Sequence, residues 1–92
     1  GEALTKPLTF DGSQLQLNYA TSAAGSVRVE IQDGDGTPIP GFTLDDAQPL
    51  FGDQIVTPAR WADSSDVTCL QGRVIRLRIV LEDADLFCLR FV

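Results

Sequence analysis

The side chains of this chain that could do chemistry are almost all carboxylates and guanidinium groups: ten aspartates, three glutamates and six arginines, with one lysine and no histidine. Without imidazole, Ser-His-Asp and Cys-His arrangements and histidine-based zinc sites are excluded. Glycoside hydrolysis needs only two carboxylates at a defined separation, but no spacing here singles out a pair, and no catalytic residue is assigned. Asp33-Gly34-Asp35-Gly36 opens like a calcium loop, with hard oxygens at close intervals, yet the twelfth position, where such a loop needs a bidentate acid, is Leu44. The run reads as a tight glycine-rich turn. Asp33 and Asp35, together with Asp83 and Asp85 of a second oxygen-rich segment, stay as candidate ligands for a structural calcium, and Asp45-Asp46 forms a third acidic loop. No other cofactor is implied.

The remaining candidates are cationic and aromatic. Arg76, Arg78 and Arg90 fall on the polar side of alternating runs, where they either pair with Glu30, Glu82 or a loop aspartate, or offer an anionic or sugar ligand planar donors. Among Tyr19, Phe42, Phe51 and Trp61, the tryptophan sits beside charged and polar residues at the end of an expected strand. Trp61 with Arg78 and Arg90 therefore makes a candidate carbohydrate-binding set, with Trp61 as the stacking platform.

Ninety-two residues suffice for one domain burying roughly 60–65% of the surface its unfolded chain exposes, so neither a metal nor a disulfide is required. Thirteen acids against seven bases give a net charge of −6, which repels a phosphate polymer and argues against nucleic acid as partner. No apolar run approaches a bilayer span, and no secretory leader opens the chain. A start at Gly1-Glu2 and the lack of methionine suggest a piece of a longer product. Cys69 falls in a turn and Cys88 within a strand, and nothing in their spacing brings the two together.

The elements that would position these groups are strands. Leu15, Leu17 and Tyr19 alternate with Gln14, Gln16 and Asn18, and Val27, Val29 and Ile31 alternate with Arg28, Glu30 and Gln32. Thr21 to Gly25 between them predicts a hairpin. Ile75, Leu77, Ile79 and Leu81, then Phe87, Leu89 and Phe91, predict a second hairpin folded at Asp83-Ala84-Asp85, with Arg78 roughly across from Arg90; alternatively the two runs lie in opposite sheets with the same inward faces. Leu4, Leu8 and Phe10 share a face of one more strand. Phe42 to Leu44 and Gln54 to Trp61 read as edge strands, the latter limited by Pro58, and Ser64 to Gly72 reads as one capped helical turn. The sum is an all-β, antiparallel, jelly-roll-like β-sandwich of six to eight short strands, one domain over residues 1–92.

The stretch TKPLTFDGSQLQLNYATSAAGSVRVEIQDGDGTPIPGF, then LFGDQI, Trp61, SDV, LQGR and RLRIVLEDADLFCLRF resembles the carboxyl-terminal β-sandwich module of secreted bacterial glycosidase-like proteins. In that group the module follows a five-bladed propeller of the levanase and invertase type. The resemblance covers nearly the whole chain. It implies a non-catalytic accessory domain, secreted or periplasmic, whose partner is the neighbouring catalytic domain of the same polypeptide, with hydrolysis belonging to the propeller. It lends no support to a disulfide between Cys69 and Cys88. The shorter piece from Asp66 to Arg73 also looks like the turn of galactose-binding-like jelly rolls, which implies a carbohydrate-binding module, with polysaccharide as partner, as an alternative. An Ig-like structural domain that pairs its edges with another copy is a third possibility.

Overall fold

Apolar residues at alternate positions dictate strands with one dry face, and the runs take that form in the computed structural model, which describes the backbone of residues 1–92 and every side chain except those of residues 53–55. The elements are β1 (Glu2–Leu4), β2 (Leu15–Asp33), β3 (Asp53–Pro58), a 3₁₀ turn (Thr68–Leu70) and β4 (Ile75–Phe91). All pairings are antiparallel, in the order β1-β4-β2-β3. The chain is an all-β protein.

Neither expected hairpin forms. β2 continues through Thr21 to Gly25 and β4 through Asp83 to Asp85, so the four alternating runs become two long strands lying against each other. Leu15 faces Phe91, Leu17 faces Leu89, Val27 faces Leu81, Val29 faces Ile79 and Ile31 faces Leu77. Four strands thus stand where six to eight short ones were expected, because the two longest each absorb two of them.

What looked like turn chemistry is bulge chemistry. Between the Thr21–Ala84 and Ser26–Glu82 pairs, residues 22–25 of β2 oppose Asp83 alone. Asp83 adopts a left-handed backbone, φ 46, which aspartate tolerates better than most side chains. Gly25 lies so close to the Glu82 and Asp83 carbonyl oxygens that a Cβ there would overlap both. Extra residues on one strand bend and twist the pair, and the halves of the ladder on either side of the bulge contribute to one core. A second bulge follows: β4 inserts Phe87 between the Leu86–Tyr19 and Cys88–Asn18 pairs. Phe87, expected in the core, is consequently 56% exposed, and Leu86 packs inward in its place.

Elsewhere the expected inward faces hold. Leu15, Leu17, Tyr19, Val27, Val29, Ile31, Ile75, Leu77 and Ile79 are buried. Phe10 stacks on Phe91 with ring centroids 4.0 Å apart, whereas Leu4, placed on the same face by sequence, is exposed in β1. The region read as an edge strand at Phe42 to Leu44 is a series of turns. It belongs to a segment that runs along the second half of β2: Ile39 N–H donates to the Ile31 carbonyl, Ile31 N–H to that of Phe42, and Val27 and Leu50 exchange both bonds. Of the strand expected over residues 54–61, β3 covers the first part, and the side-chain placement of Gln54 and Ile55 lies outside the described residues. The expected turn is present as the 3₁₀ turn, but its N-cap, Val67, makes no side-chain cap bond; Asp66 Oδ1, one residue earlier, accepts the Thr68 N–H at 2.9 Å, and Gly72 follows at φ +81.

Because Gly25 sits against two carbonyl oxygens at the point where both strands bend, Gly25→Ala should destabilise the fold by about 2–3 kcal/mol, toward the upper end of single substitutions. Urea unfolding monitored by circular dichroism measures this, and an unchanged midpoint would refute the close approach.

Candidate functional site

The residues proposed as a sugar site are not brought together. Trp61 is 3% exposed. Its indole N–H donates to the Val29 carbonyl at 2.8 Å, and its ring meets Phe42 edge-on with centroids 5.3 Å apart. Along this edge of β2, Val27 and Ile31 take backbone partners from the 39–50 segment, and Trp61 supplies the donor for Val29 between them. The indole therefore fills a gap in a ladder, and it offers no face for a sugar ring to stack on. Tyr19 is also buried, with its hydroxyl donating to the Phe51 carbonyl at 3.0 Å.

Arg78 and Arg90 occupy opposite ends of β4 and do not face each other, since the hairpin that would have paired them is absent. Arg78 lies between Leu4 of β1 and Glu30 of β2 in register, where it bonds Glu2 and reaches Glu30 at 3.5 Å. The hydrogen bond from Arg78 holds the Glu2 carboxyl below its ordinary value, and Glu2 in turn raises Arg78. Glu30, although on the polar face, is buried: Gln32 Nε2 donates to it at 3.0 Å and the Leu44 N–H at 3.4 Å. This end of the outer face is closed by its own charge pairs.

The acids follow the same logic. Asp33 pairs with Arg73 at 2.8 Å. Asp35 Oδ1 accepts the Thr37 N–H, which lowers its pKa, and the Thr68 hydroxyl and N–H do the same for Asp66. Asp83 lies opposite the bulge of β2 and Asp85 pairs with Ala20 beside it, both remote in register from Asp33 at the far end of β2. Among the described residues, no three cysteine or carboxylate side chains gather as a metal cage.

A different place emerges from the register. Asn18 lies between Cys88 of β4 and Val56 of β3, and Gln16 between Arg90 and Pro58, all on the outer face of the sheet's first half. With Leu17 these residues line an open depression of about 210 Å³. Arg90 donates to Gln16 Oε1 at 3.5 Å. Asn18 Oδ1 is buried without a hydrogen-bond partner among the described residues. Val56 is 58% exposed and Cys88 carries a free, exposed thiol. The depression offers alkyl surface flanked by amide and guanidinium groups. Sequence reasoning identified Arg90 but missed Gln16, Asn18, Val56 and Cys88, because they converge only through the β4-β2-β3 register.

Comparison of the chain with protein-family models, with curated proteins and with solved structures finds no match. Among the described residues, no helix is long and apolar enough to cross a membrane.

Two measurements check these assignments. Trp61→Phe keeps most of the ring but leaves the Val29 carbonyl without its donor, so it should cost about 1–3 kcal/mol of stability in denaturant titration. The Glu2, Asp35 and Asp66 carboxyls titrate lower in the folded chain than in the unfolded one, so they contribute stability above their unfolded values and lose it as pH falls through the folded ones. Stability should therefore decline below about pH 4, and Asp35→Asn and Asp66→Asn should each flatten that decline in unfolding midpoints measured against pH.

Proposed function

We propose that this chain is a non-catalytic accessory β domain of a larger secreted glycoside-hydrolase-like protein, stabilising or positioning the catalytic domain beside it. The observation that carries the reading is the outer-face depression around Asn18, with Val56 left 58% exposed on its β3 side. An exposed branched side chain beside an amide oxygen without a partner among the described residues suits a contact that a second surface completes by covering the one and donating to the other. The carboxylates fit the same role, as Glu2, Glu30, Asp33, Asp35, Asp46 and Asp66 hold local pairs and turns. Secretion and a catalytic neighbour rest on the family resemblance of the sequence alone.

Carbohydrate binding is the second reading, moved from Trp61 to this depression. Gln16, Asn18 and Arg90 supply the amide and guanidinium groups that sugar hydroxyls use, and Asn18 Oδ1, without a partner among the described residues, is an acceptor for such a hydroxyl.

Co-expression of residues 1–92 with the polypeptide encoded upstream of Gly1 tests the leading reading. Stable association, weakened at least tenfold by Val56→Glu, is the expected result. A module that instead migrates with immobilised polysaccharide in affinity electrophoresis, and loses that retention in Asn18→Ala, would establish the second reading in place of the first.

A further inference from the structure

One edge of the sheet is open, and its sequence is complementary to itself. β4 pairs with β2 along nearly its whole length, but on its other side β1 meets only Arg78 to Val80, with Gly1 bonded to Leu81, Thr5 to Leu77 and Leu8 to Ile75. From Glu82 to Phe91 that second side has no backbone partner among the described residues. Unpaired amides and carbonyls in an extended strand are a template for another strand.

The segment Asp85-Leu86-Phe87-Cys88-Leu89-Arg90, laid antiparallel on a second copy of itself, sets Asp85 against Arg90, Leu86 against Leu89 and Phe87 against Cys88. Each pairing joins like with like or opposite charges. The bulge decides whether the faces agree. In a regular strand, residues alternate between faces, so a register centred between two residues would set every outward side chain against an inward one. Here the extra residue shifts the alternation: Asp85, Phe87, Cys88 and Arg90 are exposed, while Leu86 and Leu89 pack on the core. With the bulge at the centre of the segment, outward meets outward at Asp85–Arg90 and Phe87–Cys88, and inward meets inward at Leu86–Leu89.

We infer that this edge of β4 pairs with the same edge of a second copy about a two-fold axis near Phe87 and Cys88, extending the sheet across two chains. Charge complementarity selects this occupant. Among the described residues neither Asp85 nor Arg90 has an ion-pair partner within its own chain, and each would gain one from the second copy. Phe87, more than half exposed in the single chain, would be covered against Cys88 of that copy. A bulge and a charge ordinarily blunt an edge against indiscriminate pairing; at the centre of a self-complementary segment they leave one register open. Six residues from each chain make a small interface, so association is weak, with a dissociation constant on the order of 100 µM.

Sedimentation equilibrium from about 10 µM to about 1 mM tests the inference. The wild-type chain should pass from monomer toward dimer over that range, Asp85→Arg should remain monomeric, and Asp85→Arg combined with Arg90→Asp should recover the dimer because the swapped charges again oppose each other. Both side chains are exposed, and matching circular dichroism spectra verify that each variant is folded. In the wild type, amide exchange should slow with concentration at residues 85–90 and not in β3. A chain that stays monomeric throughout, a dimer indifferent to Asp85→Arg, a folded double variant that fails to recover, or slowing confined to β3 would each overturn the pairing. Cys88 and Arg90 also line the depression of the accessory reading, but Val56, its probe, lies on β3 outside the paired segment, so Val56→Glu tests that reading without disturbing this pairing.

Discussion

The antiparallel ladder between β2 and β4 is the constraint on which everything else rests. It brings Leu15 to Phe91 and Ile31 to Leu77 in one continuous pairing, so both halves of the core are built by the same two strands. β1, β3 and the 39–50 segment then add to edges that this pair already presents. The bulge at Gly25 and Asp83 reconciles its length with a single core: a straight ladder of that extent would be a ribbon without an inside, while a bent and twisted one has two halves that share apolar neighbours.

The same ladder sorts the polar face into two regions with different chemistry. Toward Arg78 the charges are mutually consumed, as Arg78 bonds both Glu2 and a Glu30 that Gln32 and Leu44 also satisfy. Toward Arg90 the polar groups are only loosely engaged, and the amide oxygen of Asn18 has no hydrogen-bond partner among the described residues. A buried carboxylate with several donors is held in place by them, whereas an acceptor without a partner among the described residues leaves hydrogen-bonding capacity unused. Trp61 illustrates how readily composition misleads, since a tryptophan among polar neighbours in the sequence is here the donor that closes a gap beside Val29.

Much of the architecture was legible in residue order. Period-two alternation located the strands and their inward sides, and nine of the side chains it marked as core, from Leu15 to Ile79, are buried. Register was not legible, because the same alternation is compatible with a hairpin at Thr21 to Gly25 and with a strand that carries on through it. Small and polar residues suit both a turn and a bulge, and the choice depends on whether the partner strand is near in sequence or far. The site was less legible still: Arg90 was visible as a candidate, but Asn18, Val56 and Cys88 belong to three strands that only their pairing makes neighbours.

By itself, then, the sequence determined the class of structure, the dry sides of the strands and the exclusion of histidine chemistry, since these follow from side-chain type and periodicity along one strand at a time. Tertiary structure decided which strands pair, which of Leu86 and Phe87 turns inward, whether Trp61 faces solvent, and where unmatched polar atoms collect. Each of those depends on what a distant segment places opposite a given backbone amide or carbonyl, and a single bulge residue is enough to reverse the facing of every side chain beyond it.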